Sequence, residues 1–96
     1  MPKGYWIVQV TVTDPDRYAQ YLAQDREVLA RYGAKPIVRG GRCEAPEGEA
    51  HSRQIVLEFD SFERAVECYR SPEYQAAMQH RLAGSKSDIV IVEGAD

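Results

Sequence analysis

The sequence predicts an α+β fold in which four strands and two helical segments follow the order β-α-β-β-α-β. Three observations predict it. A run of β-branched and aromatic residues with period-two alternation opens the chain, Tyr5 to Thr13, and a short apolar run, Ile89-Val90-Ile91-Val92, closes it. Between them lie two stretches of helical periodicity, each bounded by capping signals. Ninety-six residues, 44% hydrophobic and 28% charged, match one ordinary globular domain spanning 1–96.

The first strand alternates cleanly: Trp6, Val8, Val10 and Val12 form a wholly apolar face, and Tyr5, Ile7, Gln9 and Thr11 a mixed one. Asp14-Pro15 stops it and opens a helix, with Asp14 as N-cap and proline at the first helical position. That helix runs to about Tyr32, where Gly33 supplies a left-handed end. Its apolar stripe is Tyr18, Tyr21, Leu22, Val28, Leu29 and Tyr32, with Asp25 interrupting it. A second strand is expected from Lys35 to about Glu44; Pro36 marks it as an edge strand or one with an irregular start. The segment Ala45 to Ala50 has turn composition, and Arg53 to Phe59 is the third strand, with Ile55, Leu57 and Phe59 on one face. A helix from Phe62 to about Tyr69 is broken at Ser71-Pro72, which caps a new one presenting Tyr74, Ala77, Met78 and Leu82. Gly84 ends it before the last strand.

This is the ferredoxin-like order, a four-stranded antiparallel sheet with the helices on one face. The other face would carry Ile7, Gln9, Thr11, Val56 and one pair from the last strand. So much apolar surface on so small a domain calls for cover, and a second copy, a homodimer through the open sheet face, is the simplest.

Composition excludes several classes. Twelve basic against 15 acidic residues give a net charge of −3, so there is no electrostatic footprint for nucleic acid. No apolar run approaches the ~20 residues needed to span a membrane, and Met1-Pro2-Lys3-Gly4 does not read as a signal peptide. Two cysteines, Cys43 and Cys68, are expected free in a reducing cytoplasm. With His51 and His80 they form no metal-ligand spacing. No cofactor motif is present either, since Gly40-Gly41 lacks the spacing of a phosphate-cradling loop and reads as a bulge.

Several short motifs carry a family resemblance: Lys3-Gly4-Tyr5-Trp6, Asp14-Pro15 with Tyr18 and Tyr21, Tyr32-Gly33, Arg39-Gly40-Gly41, Glu58-Phe59 before Ser61, and Tyr69 with Ser71-Pro72-Glu73-Tyr74-Gln75. Together they resemble the domain-of-unknown-function 1330 family of the dimeric α/β-barrel superfamily. The resemblance implies a ferredoxin-like protomer whose sheet pairs with a partner's sheet. It implies no activity. More distant superfamily members include small monooxygenases, a lactone isomerase and stress-response barrels, an analogy at the level of fold alone.

The leading site candidate is Arg39 with Glu58. If strands two and three close as a hairpin around Glu47-Gly48, Arg39 lies opposite Val56, with Glu58 a diagonal neighbour on the same face. Gln9 and Gln54 share that face, and Tyr5 stands on the mixed face of the first strand. Read functionally, Arg39, Gln9, Tyr5 and Gln54 bind a small anionic metabolite and Glu58 acts as base. Read structurally, Arg39 and Glu58 pair to fix dimer register. In the same hairpin Arg42 and Arg53 would face each other, neutralised by the acidic turn. Asp25 belongs either to a pocket between helix and sheet, as a general base, or to a wet margin. His51, beside the turn, is a candidate acid-base group or an exposed loop histidine. A cofactor-independent enzyme, a non-catalytic binding or sensing module and a purely structural dimer all remain open on the sequence.

Overall fold

The computed structural model describes residues 2–96. The elements are β1 (Gly4–Val12), α1 (Pro15–Arg31), β2 (Lys35–Arg39), β3 (Arg53–Phe59), α2 (Phe62–Arg70), α3 (Pro72–Gly84) and β4 (Ser85–Glu93). The four strands form one antiparallel sheet in the order β2-β3-β1-β4, with β2 on one edge, where Pro36 is tolerated. The fold is ferredoxin-like α+β.

Local chemistry sets the helix ends. Asp14 accepts from the Arg17 amide at the start of α1, and Gly33, at φ 74°, turns the chain out of it. Ser61 caps α2 through the Arg64 amide. Ser71 serves two helices at once: its hydroxyl donates to the Cys68 carbonyl at the end of α2 and accepts from the Tyr74 amide of α3. The break at Ser71-Pro72 is therefore a corner closed by hydrogen bonds.

The apolar face of β1 meets the helices. Trp6, Val8 and Val10 are buried beside Leu57, Phe59, Ala65, Cys68 and Tyr74. Trp6 donates from its indole to the Ala65 carbonyl at 2.9 Å and packs on Phe59 and Tyr74 with ring centroids 5.2 and 4.8 Å away.

On the other face the register aligns Val38, Val56, Ile7 and Val90 in one row across all four strands. The neighbouring row is Lys35, Glu58, Tyr5 and Val92. Of the two alternatives for β4, Val90 and Val92 are thus the outward pair. Ile7, Val38, Val90 and Val92 are exposed.

Three expectations need correction. The strand β2 ends at Arg39 rather than near Glu44: Gly40 adopts φ 71°, its amide closes the last rung on the Gln54 carbonyl, and residues 41–52 contain no regular element. Arg42 therefore lies in that connection, not opposite Arg53. Arg39 pairs with Ile55 instead of Val56. A bulge between Pro36 and Val38 causes this: without it the Lys35–Glu58 register would put Arg39 against Gln54 on the open face. One extra residue reverses every later side chain, so Arg39 and Glu58 stand on opposite faces. Finally, β4 starts at Ser85, directly after α3, because Gly84 ends the helix with its carbonyl taken by the Thr13 and Asp14 amides.

Candidate functional site

The helices α2 and α3 pack on the sheet, whereas α1 leans on α3. The start of α1 is held tightly: a Cβ on Gly84 would come within 2.8 Å of the Tyr18 amide nitrogen. Further along, α1 stands away from the β2–β3 side of the sheet. The gap is a cavity of about 470 Å³, within the range of sites for small organic molecules.

Its walls are apolar over much of their area, with Trp6, Val8, Leu22, Leu29, Ile55 and Leu57 among them. Its polar residues are unusual. Asp25 turns into it from α1 and is 7% exposed, which places the carboxylate in the pocket rather than at a wet margin. Burial pushes the Asp25 carboxyl up from 3.8 to about 6, against the opposing pull of the Tyr21 hydroxyl and the Arg26 charge. Arg26, Arg39, Arg53 and Arg81 also line the cavity. Four arginines and one carboxylate give this concavity a charge of +3 in a chain whose net charge is −3. Among the described residues no ion pair joins Asp25 to any of them.

Three buried polar atoms here lack a hydrogen-bond partner: the Tyr18 hydroxyl, Arg53 Nε and Arg81 Nε. They are close enough that the charges of Arg53 and Arg81 both pull the Tyr18 hydroxyl down, against the larger effect of burial, which raises it. Buried polar groups are normally satisfied, and each orphan costs about 1–3 kcal/mol. Arg81 is 3% exposed and spends Nη1 on the Ser87 hydroxyl, which fixes its guanidinium. Gly40 adjoins Arg53: its φ of 71° favours glycine, and a Cβ there would lie 2.5 Å from Arg53 Nη1 and push the guanidinium aside.

Arg81 was absent from the sequence-based candidates. The third helix was expected to present Leu82, which is instead 54% exposed, and Arg81 takes the inward position with Tyr74 and Ala77. The signal was available, since 74, 77 and 81 follow the same i, i+3, i+7 spacing that singled out Asp25.

The remaining candidates share the open sheet face and do not reach this cavity. Tyr5 donates to Glu58 at 3.1 Å. Gln9 accepts from the Gln54 side chain and from the His51 amide. The His51 ring lies 2.8 Å from both the Thr11 hydroxyl and the Asp88 carboxylate. This network clasps the 40–52 connection to the sheet beside a shallow hollow of about 280 Å³. So the structure separates Arg39 and Asp25 from Glu58, Gln9, Tyr5, Gln54 and His51. Cys43 and Cys68 are free, the first exposed and the second buried, and burial pushes the Cys68 thiol up to about 12. Among the described residues no group of three or more His, Cys, Asp or Glu gathers to hold a metal ion. Among the described residues no helix is long and apolar enough to cross a membrane.

Solved structures share this architecture. A protein of unknown function from Rhodopseudomonas palustris is 23% identical, with a TM-score of 0.72 over 99% of this chain and 84% of its own. SnoaB, a cofactor-independent oxygenase from Streptomyces nogalater, is 13% identical, with a TM-score of 0.63 over 100% of this chain and 96% of its own. A dimeric protein of unknown function and ferredoxin-like fold from Bacteroides fragilis is 18% identical, with a TM-score of 0.54 over 95% of each chain. At these identities the likeness is one of fold. No curated protein matches the sequence significantly. Residues 3–95 match the family described as Domain of unknown function (DUF1330), and the chain, with its ferredoxin-like sheet and its cavity under α1, belongs to that family.

Proposed function

We propose that this protein binds a small anionic metabolite in the cavity between α1 and the sheet and moves a proton on it at Asp25, without a cofactor. The observation that carries this reading is the set of unsatisfied buried donors from Tyr18, Arg53 and Arg81 in a cationic concavity. An anion would supply their missing acceptors, and Arg39 at the exposed rim would draw it in. A carboxyl that titrates at about 6 exchanges protons readily near neutral pH, as a general acid or base must. The oxygenase among the structural neighbours is described as cofactor-independent, which supports such chemistry on this fold by analogy.

The unit is proposed to be a homodimer through the open sheet face. The apolar row Val38, Val56, Ile7 and Val90 and the dimeric Bacteroides fragilis neighbour support this. Glu58, Tyr5, Gln9, Gln54 and His51 then flank the interface and set its register. The free cysteines suit a reducing compartment such as the cytoplasm.

The test is a metabolite screen by thermal shift on wild type, Arg39→Ala and Asp25→Asn. A ligand should stabilise wild type and lose at least half of that shift in Arg39→Ala. Its turnover should vanish in Asp25→Asn while binding persists. A ligand that binds all three and is never turned over makes the protein a binding module. Ligands indifferent to Arg39 would remove the cavity from the site.

A further inference from the structure

The cavity is divided chemically, and the division identifies the kind of molecule it takes. At its inner end the Tyr18 hydroxyl, Arg53 Nε and Arg81 Nε are buried and unpartnered. Both arginine atoms can only donate, and the tyrosine hydroxyl donates as well. What completes this end is therefore a group that accepts on more than one atom. A fixed guanidinium next to a second one matches the two oxygens of a carboxylate. Tyr18 and Arg81, at 5% and 3% exposed, are anchored from two helices, so this end is preformed.

The rest of the cavity is built for something else. Trp6, Leu22, Leu29, Ile55 and Leu57 offer no hydrogen bonds apart from the Trp6 indole, which the Ala65 carbonyl already occupies. A bare inorganic anion would fill a small part of about 470 Å³ and leave these walls against water. Apolar walls of this extent favour a ligand that covers them and removes them from water. The occupant thus carries an apolar body, and the aromatic wall of Trp6 and Tyr21 favours a flat one.

We infer that the ligand is an aromatic monocarboxylate, its carboxylate received by Tyr18, Arg53 and Arg81 and its ring lying against Trp6, Leu22 and Ile55. This rests on the reading of the cavity as an anion site and specifies its chemistry. Asp25 lies beside the carboxylate end and next to the like-charged head of the ligand. Binding consequently draws a proton onto Asp25. The groups around it are Tyr21 and Arg26 on α1, Tyr18 two turns earlier on the same helix, Arg81 and Tyr74 on α3, Arg53 on β3 and Cys68 on α2; burial raises the three tyrosines and the Cys68 thiol, so these four already hold their protons.

The experiment is calorimetric titration of the full chain with three probes, 2-naphthoate, its neutral amide 2-naphthamide, and inorganic phosphate, in two buffers of different ionisation enthalpy. Naphthoate should bind at least tenfold more tightly than either of the others, with proton uptake that disappears in Asp25→Asn. Arg53→Gln should lose at least tenfold in naphthoate affinity. Leu22→Glu, at an exposed position on the rim, should lose as much without touching the core. Equal affinity for naphthoate and naphthamide would overturn the carboxylate. Phosphate binding tighter than naphthoate, and sensitive to Arg53→Gln, would overturn the aromatic body yet leave the anion site standing. No binding of any probe would overturn the inference, and the wider reading would then rest on the metabolite screen alone.

Discussion

Replacing Asp25 with asparagine should make this protein more stable, and only above a certain pH. The carboxyl titrates at about 6 in the folded chain against 3.8 unfolded, because burial disfavours its charge. Between these values the folded state holds a proton that the unfolded state has released, so stability falls as pH rises through this window. Below about pH 4 both states are protonated and the cost vanishes; above about pH 6 it is complete. A rise of this size corresponds to about 3 kcal/mol, which solvent entering through the cavity mouth reduces to about 1–2 kcal/mol. For a chain of this length that is about 5–15 °C in Tm. Thermal unfolding followed by circular dichroism at pH 4, 6 and 8, at one protein concentration, measures it. Asp25→Asn should exceed wild type at pH 4 by only a small part of the gain it shows in full at pH 8. A lower Tm at pH 8, or the same gain at both extremes, would refute the argument. A destabilising carboxylate held in a cavity is the trade expected of a functional group.

Three further outcomes follow from the geometry. Arg39→Ala and Glu58→Ala should be additive in urea unfolding to within about 0.5 kcal/mol, because the residues face opposite sides of the sheet; a coupling above ~1 kcal/mol would put them back together. Ellman's reagent should find one fast thiol, Cys43, and reach Cys68 only on unfolding. Two thiols reacting at one rate in the native protein would contradict the buried environment of Cys68. Val90→Lys should convert a dimer to a monomer in sedimentation velocity with an unchanged circular dichroism spectrum; a monomeric wild type would dispose of the interface through this face.

Local chemistry explains why most of the fold was readable. The alternation of β1, the caps Asp14, Ser61 and Ser71, and the apolar stripes depend on neighbours a few residues away. The same holds for Asp25, which stands out because a charge breaks an apolar helical stripe. Arg81 breaks one in the same manner, but Leu82 beside it offered an apolar alternative that matched the pattern of α3 nearly as well. Only the placement of α3 against α1 and β4 chooses between them.

The pairing of Arg39 shows the limit of such reading. The sequence by itself determined the order of the elements, the two faces of β1, an edge position or an irregular start for β2 and the presence of a charge within the α1 stripe, all consequences of local periodicity and chain punctuation. The tertiary structure decided the register of β2 on β3, and with it the face on which Arg39 stands. One bulged residue at Ile37 is enough to reverse that face; Pro36 signals an edge strand or an irregular start without placing the extra residue, and Gly40-Gly41 reads as a bulge equally well. It also decided that α1 leans on α3 and leaves a gap above the sheet. Residues from five separate elements meet in that gap because distant segments pack there, and such convergence leaves no mark on the sequence near any one of them.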